Sequence, residues 1–184
     1  VKGGILPGQR PPREARVVVR SLSPRATKGW LVYGNLRFPC ALGRAGRRVR
    51  KREGDGATPA GAWPVRQAFY RADRMTRPRA GIALRPLRQN DGWCETPGDR
   101  NYNRLVRRPY PSSAEAMWRE DGLYDLVVVL GHNDRPRIPG AGSAIFMHLA
   151  RDGFLPTAGC VALRRGDLAR LLAAMGQGTR VRII

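Results

Sequence analysis

Apolar and polar residues begin to alternate at Arg16, loosely around Val17, Val19 and Leu22, and predict a strand over 16–22. Residues 30–33 and 36–40 are β-rich runs flanking Gly34-Asn35, and this spacing predicts a hairpin whose two-residue turn needs positive φ. Residues 62–70 read as a further strand. Residues 124–130 read as a buried one, because the run is continuous and β-branched. Short apolar runs follow at 144–149 and 161–163, and 179–184 closes the chain as a strand. Helical spacing appears at Leu168, Leu171, Leu172 and Met175, with Asp167 near the N-cap. Ser112-Ser113-Ala114-Glu115 has the form of a capping box and predicts a short helix to about Glu120, stopped at Gly122. Between residues 72 and 88 the pattern is weak. The pattern alone gives a mainly β, α+β domain with two or three short helices.

Residues 1–15 are rich in Gly, Pro and Arg without a period and read as a mobile arm or linker, leaving 16–184 as one domain. The longest apolar run, 126–130, is of strand length, so a soluble chain without a membrane span is expected. With 42% hydrophobic and 26% charged residues the chain is globular rather than disordered. The formal net charge of +20 is what a polyanion-binding module would show, and arginine supplies all of the 34 basic residues except Lys2, Lys28 and Lys51. Only 44–52 forms a dense basic cluster, and no helix-turn-helix, zinc-finger or RNP-like pattern accompanies it. A solvated surface and attraction to an anionic polymer both remain open. The three cysteines lack CxxC spacing and the two histidines stand sixteen residues apart, a poor ligand set, so a metal is not expected, and the thiol chemistry set out below calls for no cofactor.

The chemistry concentrates in 143–163. A thiol is a weak nucleophile at its ordinary pKa of about 8.5, and an imidazole that takes its proton makes it a strong one. His148 ends one predicted strand and Cys160 begins the next, so pairing of the two strands would set them side by side. Gly159 has no Cβ, which lets the chain turn sharply and aim N–H groups at a developing oxyanion. The other histidine, His132, ends the 124–130 strand beside Asn133. Trp93, Tyr102 and Asn103 lie in Gly- and Pro-bearing segments with little period, where ligand contacts tend to sit; covering the edge of the core is the alternative. A papain-like enzyme has its cysteine early and its histidine late, the reverse of the order here.

These residues resemble the catalytic domain of the L,D-transpeptidases, the cysteine enzymes that crosslink peptidoglycan. That family carries a histidine, a variable gap, then Ser/Thr-X-Gly-Cys, an aliphatic residue and usually Arg. Thr157-Ala158-Gly159-Cys160-Val161 matches, while Ala162 stands where the Arg would be. Thr58-Pro59-Ala60-Gly61 matches the family's upstream Thr-Pro-X-Gly turn, so the resemblance spans about 17–184. It implies a curved mixed sheet or β-sandwich with the cysteine in a cleft, and acyl transfer from a donor stem peptide to the amine of an acceptor stem. In that reading Cys160 is the nucleophile, His148 the base, and the amides of Gly159 and Cys160 the oxyanion donors. Thr157 would bind substrate, and the place of His132 at a strand end beside Asn133 suggests that both bind substrate or orient the pair, the alternative being a satisfied histidine at a loop entry. Arg135, three residues beyond His132, with Arg104 as runner-up, is expected to meet a stem carboxylate in place of the missing Arg, the alternative being that Ala162 opens the cleft for a different substrate pose and no arginine substitutes. Resolution by water instead of an amine would make the protein an L,D-carboxypeptidase or another thiol hydrolase of cell-wall peptides. The resemblance further implies export to the periplasm or cell envelope and acylation by carbapenems; a monomer is expected, and the spread of basic residues without a binding motif argues against a nucleic-acid partner. In such a compartment Cys40 and Cys94 are expected close enough to pair, against the alternative of two buried free thiols.

Overall fold

The computed structural model describes residues 16–184. The strands in chain order are β1 Arg16–Ser21, β2 Lys28–Tyr33, β3 Leu36–Ala41, β4 Arg47–Arg48, β5 Thr58–Pro59, β6 Gly61–Tyr70, β7 Leu84–Pro86 and β8 Asp91–Cys94. They continue with β9 Leu105–Arg107, β10 Ala114–Ala116, β11 Leu126–Leu130, β12 Phe146–Leu149, β13 Val161–Leu163 and β14 Arg180–Ile183. One α-helix, α1 Arg165–Ala174, and a 3-10 turn at Asp152–Phe154 complete the described residues. The Gly34-Asn35 hairpin forms as β2 and β3, with Gly34 at φ 55°.

Nine strands form one sheet in the order β11-β12-β13-β3-β2-β1-β14-β6-β7. The long strand β6 also pairs with β11, so eight strands close into a curved ring and β7 extends it. Strand alternation then sorts side chains to the two faces. Val17, Val19, Leu31, Phe38, Leu126, Val128, Met147, Val161 and Val181 belong to one buried cluster, which Leu168, Leu171 and Leu172 of α1 join. Each such side chain contributes about 1.5–3 kcal/mol on burial. The neighbouring positions Phe69, Val127, Val129, Phe146 and Cys160 face the other way. A three-stranded sheet, β10-β8-β9, covers that side with Trp93 and Met117, and Leu87 and Tyr124 pack there too. Cys160 lies at the edge of this second layer, outside the ring.

Three expectations change. The helix predicted from Ser112 is absent: Ala114, Glu115 and Ala116 pair with Cys94, Trp93 and Gly92 as β10, so α1 is the only α-helix among the described residues. Cys40 and Cys94 are free, buried thiols on different sheets, Cys40 in the ring's core and Cys94 in β8. The strand predicted from Ala144 starts at Phe146, because Ala144 takes φ 51° and leaves the ladder. The predicted N-terminal arm lies outside the described residues.

Candidate active site

β12 and β13 run parallel in register, with His148 opposite Ala162. Cys160, two residues before Ala162, therefore falls on the same face as His148, one diagonal step away on the neighbouring chain segment. Both side chains are buried and line one cavity of about 560 Å³. His148 Nδ1 lies 2.9 Å from Leu149 O, and a carbonyl can only accept. Nδ1 therefore carries the proton, and Nε2 is left as a lone-pair acceptor. Burial drives the imidazole pKa down to about 4, the backbone bond only partly offsetting it, so the ring is neutral near pH 7. Tyr124 packs its ring against it at 5.4 Å.

The thiol is held by backbone. Cys160 Sγ donates to Ala144 O at 3.2 Å and accepts the Phe146 N–H at 3.3 Å. Burial, then the nearby carboxylate of Glu115, push its pKa up to about 12, against the Phe146 amide and the Lys51 charge. Thr157 ties the approach to the cysteine: its Oγ1 donates to Cys160 O at 2.7 Å and accepts the Gly159 N–H at 3.1 Å. The Gly159 amide, expected to face an oxyanion, is thus already engaged. Gly159 itself is required by its backbone, since φ is +139° and a Cβ there would meet Ala57 O at 2.8 Å.

Asn103 is a hub behind the site. Its Nδ2 donates to His132 O and Asn133 O, both at 2.9 Å, and its Oδ1 accepts the Trp93 Nε1–H at 3.0 Å and the Ala144 N–H at 3.1 Å. Ala144 is the residue whose carbonyl receives the thiol proton, so Asn103 fixes one of the sulfur's two partners. Trp93 also sets its ring edge-on to Phe146 at 5.1 Å, the residue whose amide supplies the other. Tyr102 donates to the Glu53 carboxylate and accepts the Gly142 N–H at 3.1 Å. These three residues support the cavity from behind and do not line it.

His132 and Arg135 sit elsewhere. They line a separate pocket of about 440 Å³ with Trp63, whose ring meets His132 edge-on at 4.6 Å. His132 Nε2 lies 3.0 Å from Ala141 O, which makes it the protonated nitrogen, and burial lowers its pKa. Asn133 braces the following loop, donating to Ile138 O and Gly142 O at 2.9 Å. Arg104 is exposed and does not line the cysteine's cavity either. The cations at that cavity are Arg44, Lys51, Arg119 and Arg151, and its acids are Glu53, Glu95 and Glu115. Lys51 is bound by Asp55 at 2.7 Å, and Arg119 by Asp121 and by Glu115 at 3.4 Å, while Arg44 and Arg151 are exposed without an ion pair among the described residues. Sequence reasoning missed these residues. The one available signal was Lys51, a lone lysine inside an arginine-rich loop.

The family model described as the L,D-transpeptidase catalytic domain matches residues 17–183. No curated protein and no solved structure matches the chain.

Proposed function

Because the chain belongs to the L,D-transpeptidase catalytic-domain family of cell-wall enzymes, we propose that it forms peptidoglycan crosslinks by thiol acyl transfer at Cys160, in the periplasm or cell envelope. The observation that carries this reading is the pairing of Cys160 and His148 on one face of β12 and β13, lining one cavity, with His148 Nε2 free to accept a proton. The donor stem's carbonyl carbon is attacked by sulfur as His148 takes the thiol proton. The S–C bond forms, and the oxyanion is met by the Cys160 amide. His148 returns the proton to the departing amine as the C–N bond breaks and a terminal D-amino acid leaves. The acceptor stem's amine then attacks the thioester and gives a proton to His148, the C–S bond breaks as the new C–N bond forms, and His148 passes that proton to the departing sulfur, restoring the thiol.

The stem carboxylate is read by Arg151 and Arg44. Arg151 follows His148 by three residues, and the Arg44 amide bonds Thr157 O at 2.9 Å. Both bring an unpaired charge to the cavity that Arg135 does not reach. Loss of one charge-assisted hydrogen bond costs about 1.5–3 kcal/mol. Arg151→Ala should therefore weaken kcat/KM on a stem peptide by about tenfold or more, and much less on the peptide amide. An equal loss on both would remove Arg151 from carboxylate recognition.

The reaction is tested by mass spectrometry and product analysis. After incubation with a carbapenem a covalent adduct is expected that disappears in Cys160→Ala. With purified donor and acceptor stems, a crosslinked dimer and free D-amino acid are expected. Release of the D-amino acid without dimer would make the protein a carboxypeptidase, and no adduct with no release would overturn the thiol mechanism.

A further inference from the structure

The outer face of the ring has two halves. One, over β6, β11, β12 and β13, carries the small sheet and the cysteine's cavity; the other, over β3, β2, β1 and β14, is built differently. The sequence contains no Asp or Glu from 16 to 52 or from 168 to 184, the stretches that supply these four strands. Since Val17, Val19, Leu31, Phe38 and Val181 point inward, the alternate positions Arg20, Lys28, Trp30, Arg37 and Arg182 point outward. All five are exposed, and none of the four cations has an ion pair among the described residues. The register knits them into one patch: Arg20 stands beside Trp30, and Arg37 beside Val32, which stands beside Val18, which stands beside Arg182. Four strands at about 4.8 Å spacing make it roughly 15 Å wide. Trp30 is 37% exposed with the Arg37 guanidinium 4.4 Å from its ring, and Leu22, just past the end of β1, is 72% exposed.

We propose that this half of the ring docks on an anionic phospholipid bilayer. Clustered Arg and Lys are drawn to an anionic leaflet, and Trp seats at the boundary between headgroups and chains. A single-stranded nucleic acid is the competing partner of such a surface, but it is bound by a groove that tracks its backbone and by open aromatic faces that stack its bases. Here the patch is the outer surface of a sheet, the cavities described above lie off it, and Arg37 takes one face of Trp30, leaving no run of open rings to stack successive bases. A bilayer asks only for a broad surface with charge and a few interfacial side chains. Docked this way, the enzyme turns its cysteine cavity away from the lipid. The inference rests on charge and placement and is independent of the reaction proposed above.

The test is co-sedimentation of the protein with phosphatidylcholine vesicles with and without phosphatidylglycerol, at about 0.1 M salt where surface charges are screened beyond about 10 Å. Binding is expected only to the phosphatidylglycerol vesicles. Reversing two cations, Arg20→Glu with Arg182→Glu, should lower the partition coefficient more than tenfold, and Trp30→Ala severalfold. Arg77→Glu with Arg79→Glu makes the same change in net charge on the exposed connection between β6 and β7, and should stay within twofold of the parent. No binding to phosphatidylglycerol vesicles overturns the proposal, as does an equal loss in both double variants. Tighter binding to a thymidine oligonucleotide at the same salt, lost in the Arg20/Arg182 variant, would assign the surface to nucleic acid instead.

Discussion

Cys160 rests as a thiol. Its proton lies toward Ala144 O, burial and Glu115 hold its pKa up, and His148, depressed to about 4, does not take the proton unaided. Proton transfer thus belongs to the attack itself rather than to a preformed ion pair. Alkylation of the substrate-free protein by iodoacetamide should accelerate steadily as pH rises beyond about 9, the ordinary range of a thiol. A rate plateau between pH 5 and 8 would instead reveal a thiolate-imidazolium pair. Glu115 faces the same cavity, and its carboxylate accepts the Tyr124 hydroxyl at 2.7 Å. Glu115→Gln keeps that acceptor and removes a negative charge beside the sulfur, so alkylation at a fixed pH should speed up by about threefold to tenfold, the latter corresponding to one pKa unit. A slower rate would mean that Glu115 acts on Cys160 through packing. Cys160 and His148 were legible in the sequence because three cysteines and two histidines leave few alternatives. Glu115 and Arg119 were not, since nothing local separates them from the other thirteen acids and thirty-three bases.

At the scale of elements, local signals held where the stabilising contacts are local and failed where distant strands decide. The β2–β3 hairpin is set by its own Gly34-Asn35 turn, and α1 by the spacing of Leu168, Leu171 and Leu172. The capping-box reading of Ser112 to Glu115 lost to pairing with β8, about twenty residues away. Ser112 Oγ bonds Asp99 at 2.7 Å and Ser113 Oγ bonds Glu95 at 2.7 Å, so neither hydroxyl caps anything. That shift from helix to strand also carries Glu115 into the cavity. Trp93 and Asn103 were expected to meet substrate from a loop, but Trp93 belongs to β8 and both stand behind the cavity, a placement that depends on β8 and β9 docking over the ring. The Asn103 hub makes this docking testable. Asn103→Ala would strand the Trp93 Nε1–H, the Ala144 N–H and two carbonyls, at about 1–3 kcal/mol for each buried group left unpaired. A loss of about 3 kcal/mol or more in urea unfolding is expected, together with slower carbapenem acylation as Ala144 loosens. Asn103→Asp keeps both acceptor contacts but turns a carboxylate oxygen toward the His132 and Asn133 carbonyls, so it should cost at least as much. A cost below about 1 kcal/mol for the alanine variant would show that these groups find other partners.

At the scale of the molecule, ring closure through β6 and β11 buries His148 in the layer between ring and small sheet, and this links stability to acid. The imidazole titrates near 6.5 in the unfolded chain and at about 4 in the fold. Between those values the unfolded chain binds one more proton than the native one, so stability falls as pH falls. The loss approaches about 1.4 kcal/mol per pH unit and sums to roughly 3 kcal/mol. His132, also depressed by burial, acts in the same direction, and neither histidine contributes a slope well above pH 6.5. Glu115 opposes them, because its raised pKa lets the native state gain a proton early. Further into acid Asp55, Asp99 and Asp121, held below the usual carboxylate range by their hydrogen-bond donors, must be neutralised and continue the decline. A chain already at +20 also gains repulsion with each proton. Urea unfolding at pH 7, 5.5 and 4.5 should therefore show stability nearly flat above pH 6.5 and dropping below it. His148→Gln, which cannot titrate, should flatten that drop even if it lowers stability at pH 7. In the parent, the His148 ring signal followed by NMR should titrate with a midpoint near 4; a midpoint at 6 or above, with an unchanged slope in the glutamine variant, would separate acid sensitivity from the burial of this residue.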